Sequence, residues 1–255
     1  MTDPDWRGWL VGERTLHVQR APGNTCLSAL EQTLAEAEAP TPTTTDPIND
    51  SKGCGAVMRS APAGLAAFCR PEAFELGRDT GALTHGHPSG YLSAAYLASL
   101  VFDLVRDVPL VKAMHHADAM VRAERGHEEL LDGITLARAV ARSGPPTPKA
   151  VESLGQGWVG NEALAIALLC ALTAETRTPA GIAAALWRAV LHSGDSDSTG
   201  SITGNLLGAM VGVKGLPPRW LTQVELRPVI ERLGQDLYTV SVKKAELDYM
   251  EYPPN

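Results

Sequence analysis

Two aspartates stand two residues apart in the stretch HSGDSDSTGSITG, residues 192–204, and glycines follow at every fourth position, 200, 204, 208 and 212. Asp195, Asp197 and the hydroxyl of Ser198 suit three kinds of chemistry: a helix cap, a calcium loop, or half of a magnesium site. A cap needs one Asp or Ser oxygen to accept an orphan N–H, and this stretch supplies more candidates than that. A calcium loop of the EF-hand kind needs oxygens at positions 1, 3 and 5, a glycine at 6 and a bidentate acid at 12. Asp195, Asp197, Thr199 and Gly200 fit, but position 12 is Leu206. A phosphatase with an aspartyl nucleophile also uses Asp-x-Asp, yet places it after a buried strand, and the preceding AALWRAVLHSG has a helical pattern. What remains is a hard-cation site at the start of a helix. Mg²⁺, or Mn²⁺, accepts two carboxylates and a hydroxyl, and water, substrate or other residues complete its octahedron.

A second stretch, NDSKGCGAVMRSAP at 49–62, places Ser51, Gly53, Cys54 and Gly55 in a glycine-punctuated turn that leads into a helical segment. Such a turn can cradle an anion with backbone N–H groups. An ordinary tight turn reads the same way. The Gly-Lys-Ser/Thr of a nucleotide-triphosphate loop is missing.

The elements that must position these residues are helical. Tyr91–Val105, Asn161–Ala174, Ala183–His192 and Leu221–Leu233 are apolar or amphipathic stretches of helical length, rich in Ala and Leu. Leu237–Val242 (LYTVSV) alternates like a short strand. Residues 39–50 and 143–149 are Pro/Thr/Ser-rich connections. No repeat of solenoid length is visible. The pattern predicts an all-α orthogonal bundle, one domain over residues 1–255. A step of four residues turns about 400° around a helix, so the four glycines line one face with no side chains. Each costs about 1 kcal/mol relative to alanine. Close approach of another helix is the expected return at Gly208 and Gly212, and approach of a ligand at Gly200 and Gly204.

Composition excludes several classes of function. The 255 residues are 44% hydrophobic, enough for a sizeable core, and carry a net charge of −7. No Lys/Arg run is dense enough for a nucleic-acid or membrane-surface patch. Cys26, Cys54, Cys69 and Cys170 form no CxxC pair, so they read as reduced thiols. No signal peptide is apparent at the N-terminus, and the longest apolar run, Ala163–Thr173, is about half of what a membrane span needs. The expectation is a soluble, cytoplasmic protein with neither nucleic acid nor membrane as partner.

Four ordered segments say more than any one of them: 49–65 (NDSKGCGAVMRSAPAGL), 83–101 (LTHGHPSGYLSAAYLASLV), 155–172 (GQGWVGNEALAIALLCAL) and 192–212. Together, over about Trp6 to Leu237, the chain resembles the ADP-ribosylglycohydrolase family. The resemblance implies an all-helical domain with two Mg²⁺ ions in a cleft. It implies hydrolysis of the glycosidic bond between ADP-ribose and a protein side chain, most often arginine and in some members serine. It assigns Asp195, Asp197 and Ser198 to the metal, with Asp195 and Asp197 as the catalytic carboxylates. Ser51, Gly53, Cys54 and Gly55 become the loop around the diphosphate and distal ribose, His85 a contact to ADP-ribose, and Gly157 and Trp158 the border of the cleft. His87, His115, His116, His127 and His192 are read as structural. The family's N-terminal Thr-Asp-Asp-Thr motif has no counterpart, since the chain contains no Asp-Asp pair. The resemblance therefore implies a chain that begins several dozen residues late. Thr45, Asp46 and Asp50 are the nearest substitutes, at positions where the family has no ligand. Two other outcomes follow: an ADP-ribose-binding protein with weak or no turnover, and a fold used for packing alone.

Overall fold

The computed structural model describes residues 8–35, 49–247 and 251–252. Among them, two 3-10 turns at Trp9–Gly12 and Arg14–His17 precede thirteen α-helices. These are α1 (Asn24–Ala35), α2 (Gly55–Met58), α3 (Ala61–Ala66), α4 (Arg70–Ala82), α5 (Pro88–Leu104), α6 (Leu110–Val121) and α7 (Glu128–Ala141). They continue with α8 (Pro148–Glu152), α9 (Gly160–Leu172), α10 (Pro179–Val190), α11 (Ser196–Gly215), α12 (Pro218–Gln223) and α13 (Arg227–Ser241). The one β-type pairing among the described residues is an isolated antiparallel bridge, Gly53 with Val159. Thr45 and Asp46 lie outside the described residues.

α5 and α9 form the centre because their sequences are apolar on every face. Leu92, Tyr96, Leu97 and Leu100 of α5 share a core with Leu164 and Leu168 of α9 and with Ile202 and Leu206 of α11. Each fully buried leucine contributes about 1.5–3 kcal/mol. α4 lies against α5 through small residues: a Cβ at Gly77 would come within 2.6 Å of the Ala98 Cβ. Seven helices open with proline in their first turn, α3, α4, α5, α8, α10, α12 and α13. Proline's missing N–H and fixed φ cost nothing there. No described helix is long and apolar enough to cross a membrane.

Three expectations fail locally. Leu237–Val242 is not a strand: Leu237 to Ser241 is the last turn of α13. Six alternating residues with no sheet edge to pair with cannot outweigh a helix already running from Arg227. Leu221–Leu233 is not one helix either. α12 stops at Gln223, Leu226 turns left-handed (φ 59°), and Pro228 restarts the helix in its first turn. Finally, Gly208 and Gly212 meet no neighbouring helix; a Cβ at either would find open space. The close approach falls instead at Gly200, where a Cβ would sit 2.7 Å from Val190 Cγ1 of α10.

Candidate active site

The N-terminal ends of α2, α5, α9 and α11 meet at one place, and backbone hydrogen bonds between their entry loops hold them there. Gly160 N donates to Lys52 O (2.7 Å), Cys54 N to Trp158 O (3.1 Å), and Asp195 N to Gln156 O (2.7 Å). The turn at 51–55, the loop at 155–159 and the loop at 192–195 are thereby tied in series. Three of these helices are long, and their dipoles place positive partial charge at the shared end.

Asp195 is the N-cap of α11, its side chain accepting from Ser198 N. The cap and the site are thus one residue. Its other oxygen, Oδ2, receives the Cys54 thiol at 3.1 Å, and Cys54 Sγ also lies 3.4 Å from Ser198 Oγ. Asp195 and Ser198 are buried, whereas Asp197 is exposed. Burial alone would push the Asp195 carboxyl up, but hydrogen bonds from Cys54, Asp197 and Ser198 outweigh it and hold the carboxyl below its ordinary value. The hydrogen bond with Asp195, followed by burial, pushes Asp197 up. Burial drives the Cys54 thiol to about 12, so at neutral pH it is a donor to Asp195 and not a nucleophile.

The glycine turn does something other than offer three free N–H groups. Gly53 N donates to Ser51 Oγ (3.2 Å), and Cys54 N is taken by Trp158 O. The glycines make room for an imidazole: a Cβ at Gly53 would lie 3.1 Å from His85 Nε2, and one at Gly55 3.3 Å from His85 Cε1. His85 is buried, and its Nδ1 is 2.7 Å from Thr84 Oγ1. Burial, then the nearby Arg59 guanidinium, lowers it to about 4, so it is neutral at physiological pH. Lys52 does not face an open cleft as a free cation; its Nζ lies 2.8 Å from Glu129 Oε2, which also accepts from Ser89 Oγ.

Gly157 adopts φ +80°, and a Cβ there would come within 2.8 Å of Thr199 Cγ2, so both backbone and space demand glycine. The next residue, Trp158, is 58% exposed beside the cleft. Four other histidines make hydrogen bonds within the fold. His87 caps α5 by accepting Ser89 N, His116 pairs with Asp103, His127 Nδ1 lies 2.7 Å from Glu124 O, and His192 Nδ1 accepts Gly194 N.

A sequence model of the ADP-ribosylglycohydrolase family matches residues 3–246. The chain belongs to the ADP-ribosylglycohydrolase family. A curated relative, the ADP-ribosyl-[dinitrogen reductase] glycohydrolase of Rhodospirillum rubrum, is 26% identical over 210 residues, covering 80% of this chain and 60% of the relative. The ADP-ribosylarginine hydrolase Tri1 of Pseudomonas putida (strain GB-1) is 38% identical over 58 residues, 23% of this chain and 16% of that one. A solved structure, an ADP-ribosylglycohydrolase-related protein complex, superposes with a TM-score of 0.63 at 25% identity, covering 92% of this chain and 72% of that one. The all-α fold is therefore of the ADP-ribosylglycohydrolase type. The chain spans about 60% of the length of the Rhodospirillum rubrum relative.

The family implies magnesium, and the donor set tests that. Asp195, Asp197 and Ser198 offer two carboxylates and a hydroxyl, hard oxygens, at the N-terminus of α11. One Mg²⁺ fits these donors, since magnesium is commonly held by one or two carboxylates with water and substrate oxygens. Among the described residues no group of three or more His, Cys, Asp or Glu side chains is placed to hold a metal, so the remaining ligands of such an ion would be water or substrate oxygens.

Four residues of the site left no motif signal by themselves. Asn49 ties the turn to the His85 loop, its Nδ2 donating to Thr84 O (2.8 Å) while its Oδ1 accepts from Ser51 N (2.9 Å) and Gly86 N (3.2 Å). The Glu162 carboxylate accepts from Gln156 N (2.9 Å) and Gly157 N (3.1 Å), setting the loop whose Gln156 carbonyl holds Asp195. Arg59 and Thr84 brace His85. Asn49, Arg59 and Thr84 act through hydrogen bonds 25 to 37 positions apart in sequence, and no local spacing announces such bonds.

Proposed function

We propose that this cleft binds the ADP-ribose moiety of an ADP-ribosylated protein and hydrolyses its glycosidic bond to the side chain, arginine being the favoured linkage. The observation that carries this reading is the contact of Asp195 and Ser198 with Cys54. It places a carboxylate pair beside the glycine turn and the neutral imidazole of His85. A sugar joined to a diphosphate needs both parts: oxygens for a cation near the anomeric carbon, and uncharged donors along the diphosphate.

One Mg²⁺, with Mn²⁺ as the alternative, would be held by Asp195, Asp197 and Ser198 and would supply positive charge for the ribose hydroxyls and the attacking water. In the reaction, water adds to C1″ and gives up a proton, the bond from C1″ to the guanidino nitrogen breaks, and the departing nitrogen takes up a proton in exchange. Asp197, exposed at the start of α11, would take the water's proton as oxocarbenium character develops and pass it to the departing nitrogen. Asp195, held anionic by Cys54, Asp197 and Ser198, stabilises the positive charge nearby. Trp158, beside the turn at Cys54, would border the opening.

A second reading, ADP-ribose binding with little or no turnover, is favoured by the ligand count: two carboxylates and one hydroxyl are half of an octahedron. Chromatographic measurement of ADP-ribose released from ADP-ribosyl-arginine, with and without EDTA, separates the two. Mg²⁺-dependent release that EDTA abolishes supports hydrolysis. Calorimetric binding of ADP-ribose without any release supports the second reading, and absence of both overturns each.

A further inference from the structure

The His85 imidazole has two nitrogens, and which one carries the proton decides what it offers a ligand. Its Nδ1 is 2.7 Å from Thr84 Oγ1, and that same hydroxyl lies 2.6 Å from Arg59 Nη2. A guanidinium only donates, so the Thr84 oxygen accepts from Arg59. Thr84 is buried, and no other side-chain hydrogen bond among the described residues uses its hydroxyl. If Nδ1 carried the proton, the hydroxyl would accept twice and its own hydrogen would be buried without a partner, at a cost of about 1–3 kcal/mol. If the hydroxyl donates to Nδ1, every group in the chain is matched. The charged donor also polarises the hydroxyl and makes it the better donor. Arg59 is anchored for this task, with Nη2 on Thr80 O (2.8 Å) and Nη1 on Gly55 O (3.1 Å).

We propose that Arg59 and Thr84 are positioning residues that hold His85 protonated on Nε2, so that it presents a neutral hydrogen-bond donor to an anionic oxygen lying against the Gly53–Gly55 turn. Nε2 is the ring atom nearest that turn, 3.1 Å from where a Gly53 Cβ would be. A neutral donor suits a diphosphate or ribose oxygen in a chain of net charge −7, where the nearby Lys52 is already spent on Glu129. The role for the ligand rests on the ADP-ribose reading above; the tautomer does not.

Long-range ¹H–¹⁵N spectra of the full chain, with the His85 signals assigned by their loss in His85→Gln, read the tautomer directly. The expected result is the Nε2-protonated pattern in the parent protein and in Thr84→Ser, and loss of that single pattern in Thr84→Val and Arg59→Met. Arg59→Lys, which keeps a cationic donor, should retain it in part. ADP-ribose titrated by calorimetry should bind about tenfold more weakly to Thr84→Val and as the parent to Thr84→Ser. An Nδ1-protonated parent, or a Thr84→Val protein with unchanged tautomer and affinity, overturns the proposal. If the parent binds no ADP-ribose, the ligand assignment fails, and the spectra alone decide the relay.

Discussion

The two halves of α11 carry the same four-residue glycine repeat and do different things with it. From Ser196 to Leu207 the helix is embedded: Ser198, Thr199, Ile202, Thr203, Leu206 and Leu207 are buried, and Gly200 lies under Val190. From Gly208 onward it emerges. A Cβ at Gly208 would meet nothing, Val213 is 54% exposed, and Gly212 sits at φ 63°, ψ 178°, a kink that only glycine adopts easily. Spacing alone therefore does not say why a glycine is present. At Gly200 the reason is space, at Gly212 it is backbone conformation, and at Gly208 neither applies.

The contrast is most exposed to test at the chemical end of the helix. Asp197→Ala should lower Mg²⁺-dependent release of ADP-ribose by roughly 10²–10⁴-fold, the range of a lost general acid or base, with Tm little changed because Asp197 is exposed. A similar loss from Gly208→Ala would erase the distinction between the halves.

The embedded end should also be pH-sensitive through His85. Its folded value is about 4 because of burial and then Arg59, against an ordinary 6.5. Between those values the unfolded chain binds the extra proton, so the stabilising contribution is whole above pH 6.5 and is lost as pH falls from 6.5 to 4. The loss is on the order of 2–3 kcal/mol. Denaturation of the parent and of His85→Gln across this window measures it: the parent should show the steeper fall, and parallel curves would count against a buried neutral imidazole.

Alanine substitutions sharpen the comparison along the helix itself. Gly200→Ala forces Val190 aside and should cost about 1–3 kcal/mol, and Gly212→Ala should cost a similar amount through its backbone. Gly208→Ala, in the open half, should instead stabilise by about 0.5–1 kcal/mol. Urea unfolding of the three variants gives the order, and a destabilised Gly208→Ala would mean that something covers this face.

Much of the fold was legible because helical signals are local. The Ala/Leu-rich stretches at Tyr91–Val105 and Asn161–Ala174 lie almost wholly within α5 and α9, since a helix repeats its apolar positions every three to four residues. The four ordered motifs were enough to name the family, and the fold brings Asp195, Ser198, the turn at Ser51–Gly55, His85 and Gly157 close together. The LYTVSV segment misled because six residues cannot distinguish a strand from the end of a helix without knowing whether a sheet exists.

What the sequence determined by itself, then, was the helical class and the family, each written in short-range spacing. Only the tertiary structure decided which groups answer one another. Cys54 gives its thiol to Asp195 across 141 positions, Glu162 sets the loop whose carbonyl holds Asp195, and Arg59 reaches Thr84 to fix His85. Such bonds form because packing α5, α9 and α11 side by side brings their N-terminal loops to one end, where buried polar groups must find partners. Residues that far apart share no spacing, so their pairing becomes visible only once the helices are packed.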